Sequence, residues 1–380
     1  MLVLTLDIVL RGVCVLLHAS SLSLHTQVTG PHGLHVCMCF EVLGATLLDL
    51  IRWCNYRGAP LQIVRSIMSQ VLAGLEYMHD EHRIIHTDLK PENVMFTTKL
   101  EAIFEGTPLA QSMRYDAAKK TTAPAAAAAA AAADGGGVSG GGVSGGGDAA
   151  EASRSELTWH DGARSVSADW AEHVESSGRI KCKIVDFGNA CWTTKHFTDD
   201  IQTRQYRAPE VILGAQYSTP VDVWSAACMS FEVATGDHLF DPQGSKQFSR
   251  DDDHIAMVLE LIGRKMPRKL TSTGKYARDY FNRHGDLRNI KKLNFWPLDS
   301  VLEEKYKYDV ECASSFASFL LPMLDLLPER RATAKEALSL AEKMVSRRPP
   351  PPAAAEAAPD GAPLPPSGTT LVASFPSGAV

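Results

Sequence analysis

Apolar residues recur at helical spacing between residues 60 and 79. In the segment PLQIVRSIMSQVLAGLEYMH they stand three or four positions apart, so one face of a helix would be apolar and the other polar. Because such a stripe is stable only against a core, the pattern predicts an amphipathic helix with one buried side. The residues on that side are Ile63, Ile67, Val71, Leu75 and Met78.

Shorter apolar runs on both sides of this helix predict strands. The run at residues 34–43 predicts a buried strand that ends at a turn, and the apolar stretches at 84–85 and 94–96 predict short strands around a polar loop. After Ile180 the segment KCKIVDFGNACW predicts a strand that runs into a loop, and residues 204–345 predict mainly helices. The chain is therefore expected to be an α+β protein.

Two tracts of low complexity cannot bury a core. Residues 121–150 are rich in alanine and glycine, and residues 347–380 are rich in proline and alanine. The regular pattern is lost over a wider segment, from about residue 97 to residue 178, so this segment is expected to be a flexible insert. What remains on either side is enough for one large folded domain.

Composition and charge narrow the class of protein. The chain has 45% hydrophobic and 22% charged residues, and its formal net charge of −6 argues against nucleic acid as the main partner. Its eight cysteines form no CxxC pair and no zinc-like spacing with histidines, so reduced thiols are expected. Asp7, Arg11 and His18 interrupt the apolar N-terminus, so neither a membrane span nor a clean signal peptide is predicted.

Three short motifs carry the candidate chemistry. They are HTDLKPEN at residues 86–93, DFG at residues 186–188 and APE at residues 208–210. Phosphoryl transfer needs an oriented hydroxyl, metal ligands and positive charge near the transferred group. Asp88 would orient the hydroxyl and accept its proton, Lys90 would neutralise the γ-phosphoryl, and Asn93 and Asp186 are oxygen ligands suited to Mg²⁺.

These motifs resemble those of serine/threonine protein kinases, and further positions agree with that resemblance. It implies that ATP is the second substrate, with the backbone of Glu41 and Leu43 meeting adenine in a hinge at residues 40–44. It also implies that Thr203 lies against the catalytic loop. The resemblance assigns structural roles to His86, Phe187 and Asp222, and it implies a buried ion pair between Glu210 and Arg331.

Several longer segments closely resemble the SR protein kinases. They include IIHTDLKPENV, HFTDDIQTRQYRAPEVILG, ATGDHLFDP, SRDDDHIAMVLELIG and FLLPMLDLLPERRATA. This resemblance implies a monomeric kinase of the cytoplasm and nucleus that uses ATP and Mg²⁺. Its substrates would be serines in Arg-Ser repeats of splicing factors, so that it regulates mRNA splicing, with no direct nucleic-acid or membrane partner.

The family also docks arginine-rich substrates on carboxylates, and the matching positions here are Asp237, Asp253 and Glu260, with Lys305 nearby. Asp253 and Glu260 stand seven residues apart in a predicted helix and therefore share a face. Asp251 and Asp252 add negative charge. The alternative interpretation is a solvated acidic helix start that is favoured by the helix dipole.

With the resemblance included, the chain divides into five parts. The expected fold is kinase-like, with a mainly helical C-lobe, an incomplete β N-lobe and a disordered insert. The parts are an unmatched N-terminal segment (1–29), an N-lobe remnant with the hinge and the first part of the C-lobe (30–96), the disordered Ala/Gly-rich insert (97–178), the rest of the C-lobe (179–345) and a disordered Pro/Ala-rich tail (346–380).

Two features of a kinase N-lobe have no counterpart ahead of the catalytic loop. The first lysine in the sequence is Lys90, and no GxGxxG precedes the hinge. One explanation is that the sequence is an incomplete reading of a gene whose product is an active kinase. The alternative is a catalytically inactive module that binds Arg-Ser proteins through its acidic groove.

One substitution within the catalytic motif leads to a prediction about regulation. Thr87 stands where many kinases have an arginine that pairs with a phosphorylated activation segment, so that pairing is not available. Simultaneous replacement of Thr193, Thr194 and Thr198 by alanine should therefore leave the rate of peptide phosphorylation near that of the wild type. A loss of more than about tenfold in steady-state assays would contradict this expectation.

Overall fold

The computed structural model of the protein describes residues 22–31, 33–107, 109–110 and 168–344. The segment 1–21, the Ala/Gly-rich tract 121–150 and the tail 346–380, for which disorder or no match was predicted, lie outside the described residues. The description below therefore concerns the hinge, the catalytic motifs and the helical part of the chain.

The described residues form a helical body with short strands at one side, as the α+β prediction expects. Within the described residues the strands make three two-stranded antiparallel sheets. The strands are β1 (Leu22–Gly30) with β2 (Gly33–Phe40), β3 (Ile84–Ile85) with β6 (Cys191–Trp192), and β4 (Val94–Phe96) with β5 (Cys182–Ile184). The helices are α1 (Leu47–Trp53), α2 (Leu61–Asp80), α3 (Leu100–Ile103), α4 (Ala168–Ser176), α5 (Pro209–Ile212), α6 (Pro220–Thr235), α7 (Arg250–Ile262), α8 (Arg268–Thr273), α9 (Ala277–Tyr280), α10 (Leu298–Ser300), α11 (Val310–Met323) and α12 (Ala334–Lys343).

Two helices form the centre of the core. The predicted amphipathic helix is α2, and all five residues assigned to its apolar face are buried, which confirms the periodicity. Helix α6 is buried from Val221 to Thr235 and is apolar on nearly every side, as expected for a helix enclosed by its neighbours. Helix α2 packs against α6 and α12, so the catalytic loop that follows α2 starts from a rigid base.

The hairpin β1–β2 corrects one prediction. The run at 34–43 was predicted to be a buried strand, but the strand ends at Phe40, and Leu34 and Phe40 are exposed. Only β1 pairs with this strand in the described part of the chain, so apolar residues alone do not bury it. Burial depends on the partners that the fold brings to a strand, which a single apolar run does not specify.

The predicted insert 97–178 is folded at both of its ends. Helix α3 places Leu100 and Ile103 in the core, and helix α4 buries Ala171 and Val174. Arg65 of α2 binds both carboxylate oxygens of Glu175, at 2.9 and 2.6 Å, which fixes α4 against the body. The few apolar residues at each end of the insert give little signal in the sequence beside the low-complexity tract. The predicted insert was therefore too wide at both ends.

The predicted ion pair between Glu210 and Arg331 lies at the base of the helical body. The guanidinium donates to both carboxylate oxygens at 2.7 and 2.9 Å, and neither side chain is exposed to solvent. Arg331 also donates to the carbonyl oxygens of Pro220 and Asp325 at 3.0 Å. Because every partner is supplied, the two buried charges tie α5, α6 and the segment before α12 together.

Replacement of Arg331 by methionine should lower the free energy of unfolding by about 3–5 kcal/mol, because Glu210 is left as an unpaired buried charge. Denaturant titration measures this change. The double variant Glu210→Leu/Arg331→Met should recover much of the loss, because it removes both charges.

A matched control is Lys335→Met, which removes an exposed pair with Glu76 whose atoms are 3.6 Å apart. That control should cost less than about 1 kcal/mol. If Arg331→Met were as mild as the control, the bracing role of the buried pair would be wrong.

Candidate active site

The catalytic loop, residues 86–93, is held in place by one buried carboxylate on helix α6. Asp222 accepts the backbone N–H groups of His86 and Thr87 at 2.8 and 2.9 Å. His79, at the end of α2, donates its Nε2–H to the same carboxylate at 2.8 Å. Asp222 is fully buried, so these three donors replace the water that its charge would otherwise require. The arrangement agrees with the structural role expected for Asp222.

His86 joins the catalytic loop to the strand that leads to the DFG motif. Its Nδ1 accepts the backbone N–H of Asp88 at 3.3 Å, so the proton resides on Nε2, which donates to the carbonyl oxygen of Val185 at 2.9 Å. The buried ring of Phe187 packs edge-on against His86, with the ring centroids 5.4 Å apart. Both residues therefore hold neighbouring segments in register and do not face a substrate.

Two predicted site residues contact the carboxylate of a third, Asp88. Lys90 Nζ donates to Asp88 Oδ2 at 2.7 Å, and the Thr203 hydroxyl donates to Asp88 Oδ1 at 2.7 Å. Lys90 Nζ also donates to Thr203 Oγ1 at 3.2 Å. The Asp88 side chain is 15% exposed, so it is held in one orientation but stays open to a substrate hydroxyl.

Two oxygen ligands flank this group. Asn93 uses its amide nitrogen to donate to the Asp88 carbonyl oxygen at 2.8 Å, which fixes the side-chain amide and leaves Oδ1 as its acceptor atom. Asp186 has the left-handed backbone conformation (φ 63°) and is exposed, with Oδ1 accepting the Gly188 N–H at 3.3 Å. In the described residues no three His, Cys, Asp or Glu side chains cluster as a metal site. One carboxylate and one amide fit a divalent ion whose other ligands are phosphates and water.

The hinge follows strand β2. The Gly44 N–H donates to the Phe96 carbonyl oxygen at 2.7 Å, and the Phe96 N–H donates to the Ala45 carbonyl oxygen at 2.8 Å. No hydrogen bond from the Leu43 N–H is found among the described residues. The Leu43 backbone thus has a donor that fits a purine ring acceptor. The Glu41 side chain binds Lys183, which the sequence did not predict.

The activation segment is held by a glutamine that sequence reasoning missed. The Gln202 N–H donates to the Thr87 carbonyl oxygen at 2.9 Å, and its side-chain amide donates to Val221 O and Ser225 Oγ, both at 2.8 Å. The same amide accepts the Ala208 N–H at 2.9 Å. Thr87 Oγ1 donates to the Asn189 carbonyl oxygen at 2.9 Å. Thr87 and Gln202 therefore supply contacts that need no phosphate.

A cavity of about 510 Å³ opens beside Asp88 on the side of the activation segment. Thr203, Phe197 and Arg207 line it together with Asp88. Arg207 donates to the Gln202 carbonyl oxygen at 2.9 Å and pairs with Asp200 at 2.9 Å. The cavity therefore leaves open space directly beside the Asp88 carboxylate.

The predicted docking residues fall into two groups. Asp253 accepts the Gln243 N–H and Glu260 accepts the Asn294 N–H, both at 2.7 Å. Burial raises the pKa of both carboxyls, and the charge of Asp253 raises the pKa of Glu260 further. Both acids lie on helix α7, where a spacing of seven residues places them on the same face.

The second docking group is already paired. Asp237 Oδ2 binds Lys305 Nζ at 3.2 Å and accepts the Tyr306 hydroxyl at 2.8 Å. Two further acids predicted to add free negative charge are also engaged. Asp252 forms a capping box with Ser249 at the start of α7, and Asp251 pairs with Arg204. Asp251 and Asp252 are thus engaged by neighbouring residues of the fold, which leaves Asp253 and Glu260 as the predicted docking acids without a cationic partner in the contacts described.

Comparison with known proteins decides the family. Residues 25–104 and 174–341 match the protein kinase domain. The chain is 43% identical over 311 residues to the serine/threonine-protein kinase SRPK of Physarum polycephalum, which covers 82% of this chain and 67% of that protein. It is 40% identical over 353 residues to protein kinase dsk1 of Schizosaccharomyces pombe (80% and 65%), and 36% identical over 411 residues to SRSF protein kinase 3 of Homo sapiens (82% and 72%).

The chain belongs to the SR protein kinase family. It is therefore a serine/threonine kinase with a protein kinase domain, and such domains in general use ATP and a divalent metal ion. This SR protein kinase spans about two thirds of the length of the first two relatives. The kinase-domain match leaves out residues 105–173, which contain the Ala/Gly-rich tract.

Three supporting residues of this SR protein kinase gave little signal in the sequence. Gln202 lies in the segment HFTDDIQTRQYRAPEVILG, which resembles the family, but its role depends on backbone contacts across the activation segment. His79 lies at the end of a predicted helix, where a histidine is also common on a polar surface. The pattern Ser249-x-x-Asp252 is readable as a capping box, and it would have identified Asp252 as a helix cap.

Proposed function

We propose that this SR protein kinase transfers the γ-phosphoryl group of ATP to serines in Arg-Ser repeats of splicing factors, and that it thereby regulates mRNA splicing. The observation that carries the proposal is that Lys90 and Thr203 both donate to the carboxylate of Asp88 and to each other. The name of the human relative, SRSF protein kinase 3, supports the substrate class.

The residues of the chain divide the work of the reaction. Asp88 accepts a hydrogen bond from the substrate hydroxyl and then its proton, while Thr203 and Lys90 keep the carboxylate oriented. The ammonium of Lys90 would stabilise negative charge on the transferred group. Bound ATP supplies the phosphoryl group. Asn93 and Asp186 would hold Mg²⁺, which keeps several water and phosphate ligands of its own.

Selection of arginine-rich peptides is assigned to Asp253 and Glu260. Both carboxylates are half-buried and each accepts a single backbone N–H in the contacts described. A partly desolvated carboxylate gains more from a guanidinium than a fully hydrated one does, because the local dielectric is lower. Asp237 would join this recognition only when a substrate arginine competes with Lys305. The rest of the assignment, a monomer of the cytoplasm and nucleus with no direct nucleic-acid partner, is supported by the family resemblance.

The transfer reaction is tested with purified protein, Mg²⁺, ATP and a peptide of Arg-Ser repeats. Asp88→Asn should lower the turnover number by about 100-fold or more, because the base is lost, while peptide affinity stays within about twofold. Asp80→Asn is a matched control, since Asp80 is an exposed aspartate at the end of α2. Peptide binding without transfer by the wild type would favour the inactive binding module instead.

Peptide docking is tested separately. The double variant Asp253→Asn/Glu260→Gln should raise KM for a long Arg-Ser peptide about tenfold, with the turnover number nearly unchanged, because docking energy is lost away from the reacting atoms. Glu342→Gln, at an exposed acid on α12, serves as the control. Because the pKa values of Asp253 and Glu260 are raised, affinity should begin to fall on acidification at a higher pH than an exposed carboxylate requires. A KM equal to that of the control would refute the docking assignment.

A further inference from the structure

The hinge of this kinase is fixed to strands β4 and β5 at both of its ends. At the C-terminal end, the Gly44 N–H and the Ala45 carbonyl oxygen bind the two backbone groups of Phe96. The contact is so close that a Cβ on Gly44 would lie 2.0 Å from the Thr98 carbonyl oxygen. This end is therefore held by backbone contacts that only glycine allows.

At the N-terminal end, Glu41 forms an ion pair with Lys183. Lys183 Nζ donates to Glu41 Oε1 and Oε2 at 2.7 and 2.8 Å, so the ammonium bridges both oxygens. The Lys183 side chain is only 14% exposed and that of Glu41 29% exposed, which sets the pair apart from mobile surface pairs. Lys183 is the middle residue of β5 and lies opposite Met95 of β4.

The same two strands lead into the predicted metal ligands. Asn93 immediately precedes β4, and Asp186 follows β5 by two residues. The Val185 N–H donates to the Asn93 carbonyl oxygen at 2.9 Å, so the strand ends are joined directly beside both ligands. Any group fixed to Lys183 is thus fixed to the frame that carries Asn93 and Asp186.

Between the two anchors, no backbone hydrogen bond of Val42 or Leu43 is found within the described part of the chain. Val42 is 95% exposed, and strand β2 ends at Phe40, itself an exposed residue. A short segment with few buried contacts opens easily unless both of its ends are fixed. The backbone groups expected to meet adenine, those of Glu41 and Leu43, lie in this span.

We propose that the Glu41–Lys183 ion pair is a positioning device for the nucleotide: it fixes the backbone at residues 41–43 relative to Asn93 and Asp186. The base and the metal-bound phosphates of one nucleotide are then received by a single rigid frame. The inference rests on the proposed function to the extent that the nucleotide is ATP. Lys183 acts through Glu41 and does not itself contact the nucleotide.

The device is tested first without nucleotide, by amide hydrogen exchange. In Lys183→Met the amide of Gly44, which donates to the Phe96 carbonyl oxygen, should exchange about tenfold faster than in the wild type, because the span opens more often once one anchor is lost. Lys183→Arg keeps the charge and should restore slow exchange. Lys335→Met removes an exposed lysine of another ion pair and should leave hinge exchange unchanged.

Binding and kinetics complete the test. Calorimetry with Mg-ADP should show about a tenfold weaker affinity for Lys183→Met and for Glu41→Gln, since small misplacement of a binding group is costly. KM for ATP should rise by a similar factor, while KM for the Arg-Ser peptide stays within about twofold. A pair that merely stabilised the fold would lower the unfolding midpoint without this split between the two KM values.

The outcomes separate this inference from the proposed function. Unchanged hinge exchange and ADP affinity in Lys183→Met would overturn the inference even if the wild type phosphorylates the peptide. A wild type that binds Mg-ADP but transfers nothing would refute the proposed function, while weaker ADP binding by Lys183→Met would still support the positioning role. A wild type that does not bind Mg-ADP at all would overturn the inference.

Discussion

The buried carboxylate of Asp222 is the constraint on which the site depends. A charge enclosed by helix α6 is stable only if donors surround it, and here two of the three donors are backbone N–H groups of the catalytic loop. The core therefore dictates the path of the loop, because any other path would leave the carboxylate unsatisfied. The third donor, His79, joins helix α2 to the same point. The packing of α2 on α6 and the path of the catalytic loop thus depend on the same carboxylate.

From that point the order extends outward through Thr87. Its backbone takes the left-handed conformation (φ 69°), its N–H is held by Asp222, and its carbonyl oxygen accepts the N–H of Gln202. Gln202 in turn precedes Thr203, whose hydroxyl reaches Asp88. The activation segment is therefore connected to the core by neutral hydrogen bonds. These contacts agree with the prediction that Thr203 reaches the carboxylate without an arginine and a phosphate.

The sequence was a good guide where chemistry is local and a poor one where it depends on distant partners. Asp88, Asn93 and Asp186 were recognisable because the reaction restricts their residue types and spacing, and Ile67 or Leu75 because helical periodicity marks a buried face. Gln202 and Lys183 were not recognisable, since their partners lie about 20 and 140 residues away. The strand Gly33–Phe40 shows the same limit: Leu34 and Phe40 are exposed, because burial depends on what packs over a strand.

Helix α7 shows how one acidic run acquires several functions. Asp252 accepts hydrogen bonds from Ser249 at the N-terminus of its own helix and from the Asn289 amide, and Asp251 pairs with Arg204 of the activation segment, so both acids are engaged within the fold. Asp253 and Glu260 accept backbone N–H groups, which orient a carboxylate without neutralising it. Their raised pKa values reflect this incomplete compensation, because burial has removed water and no cation has replaced it in the contacts described. In the proposed docking of an arginine-rich peptide, a guanidinium would supply the missing charge. That proposal therefore rests on two of the four acids, while the other two stabilise the helix and the segment beside it.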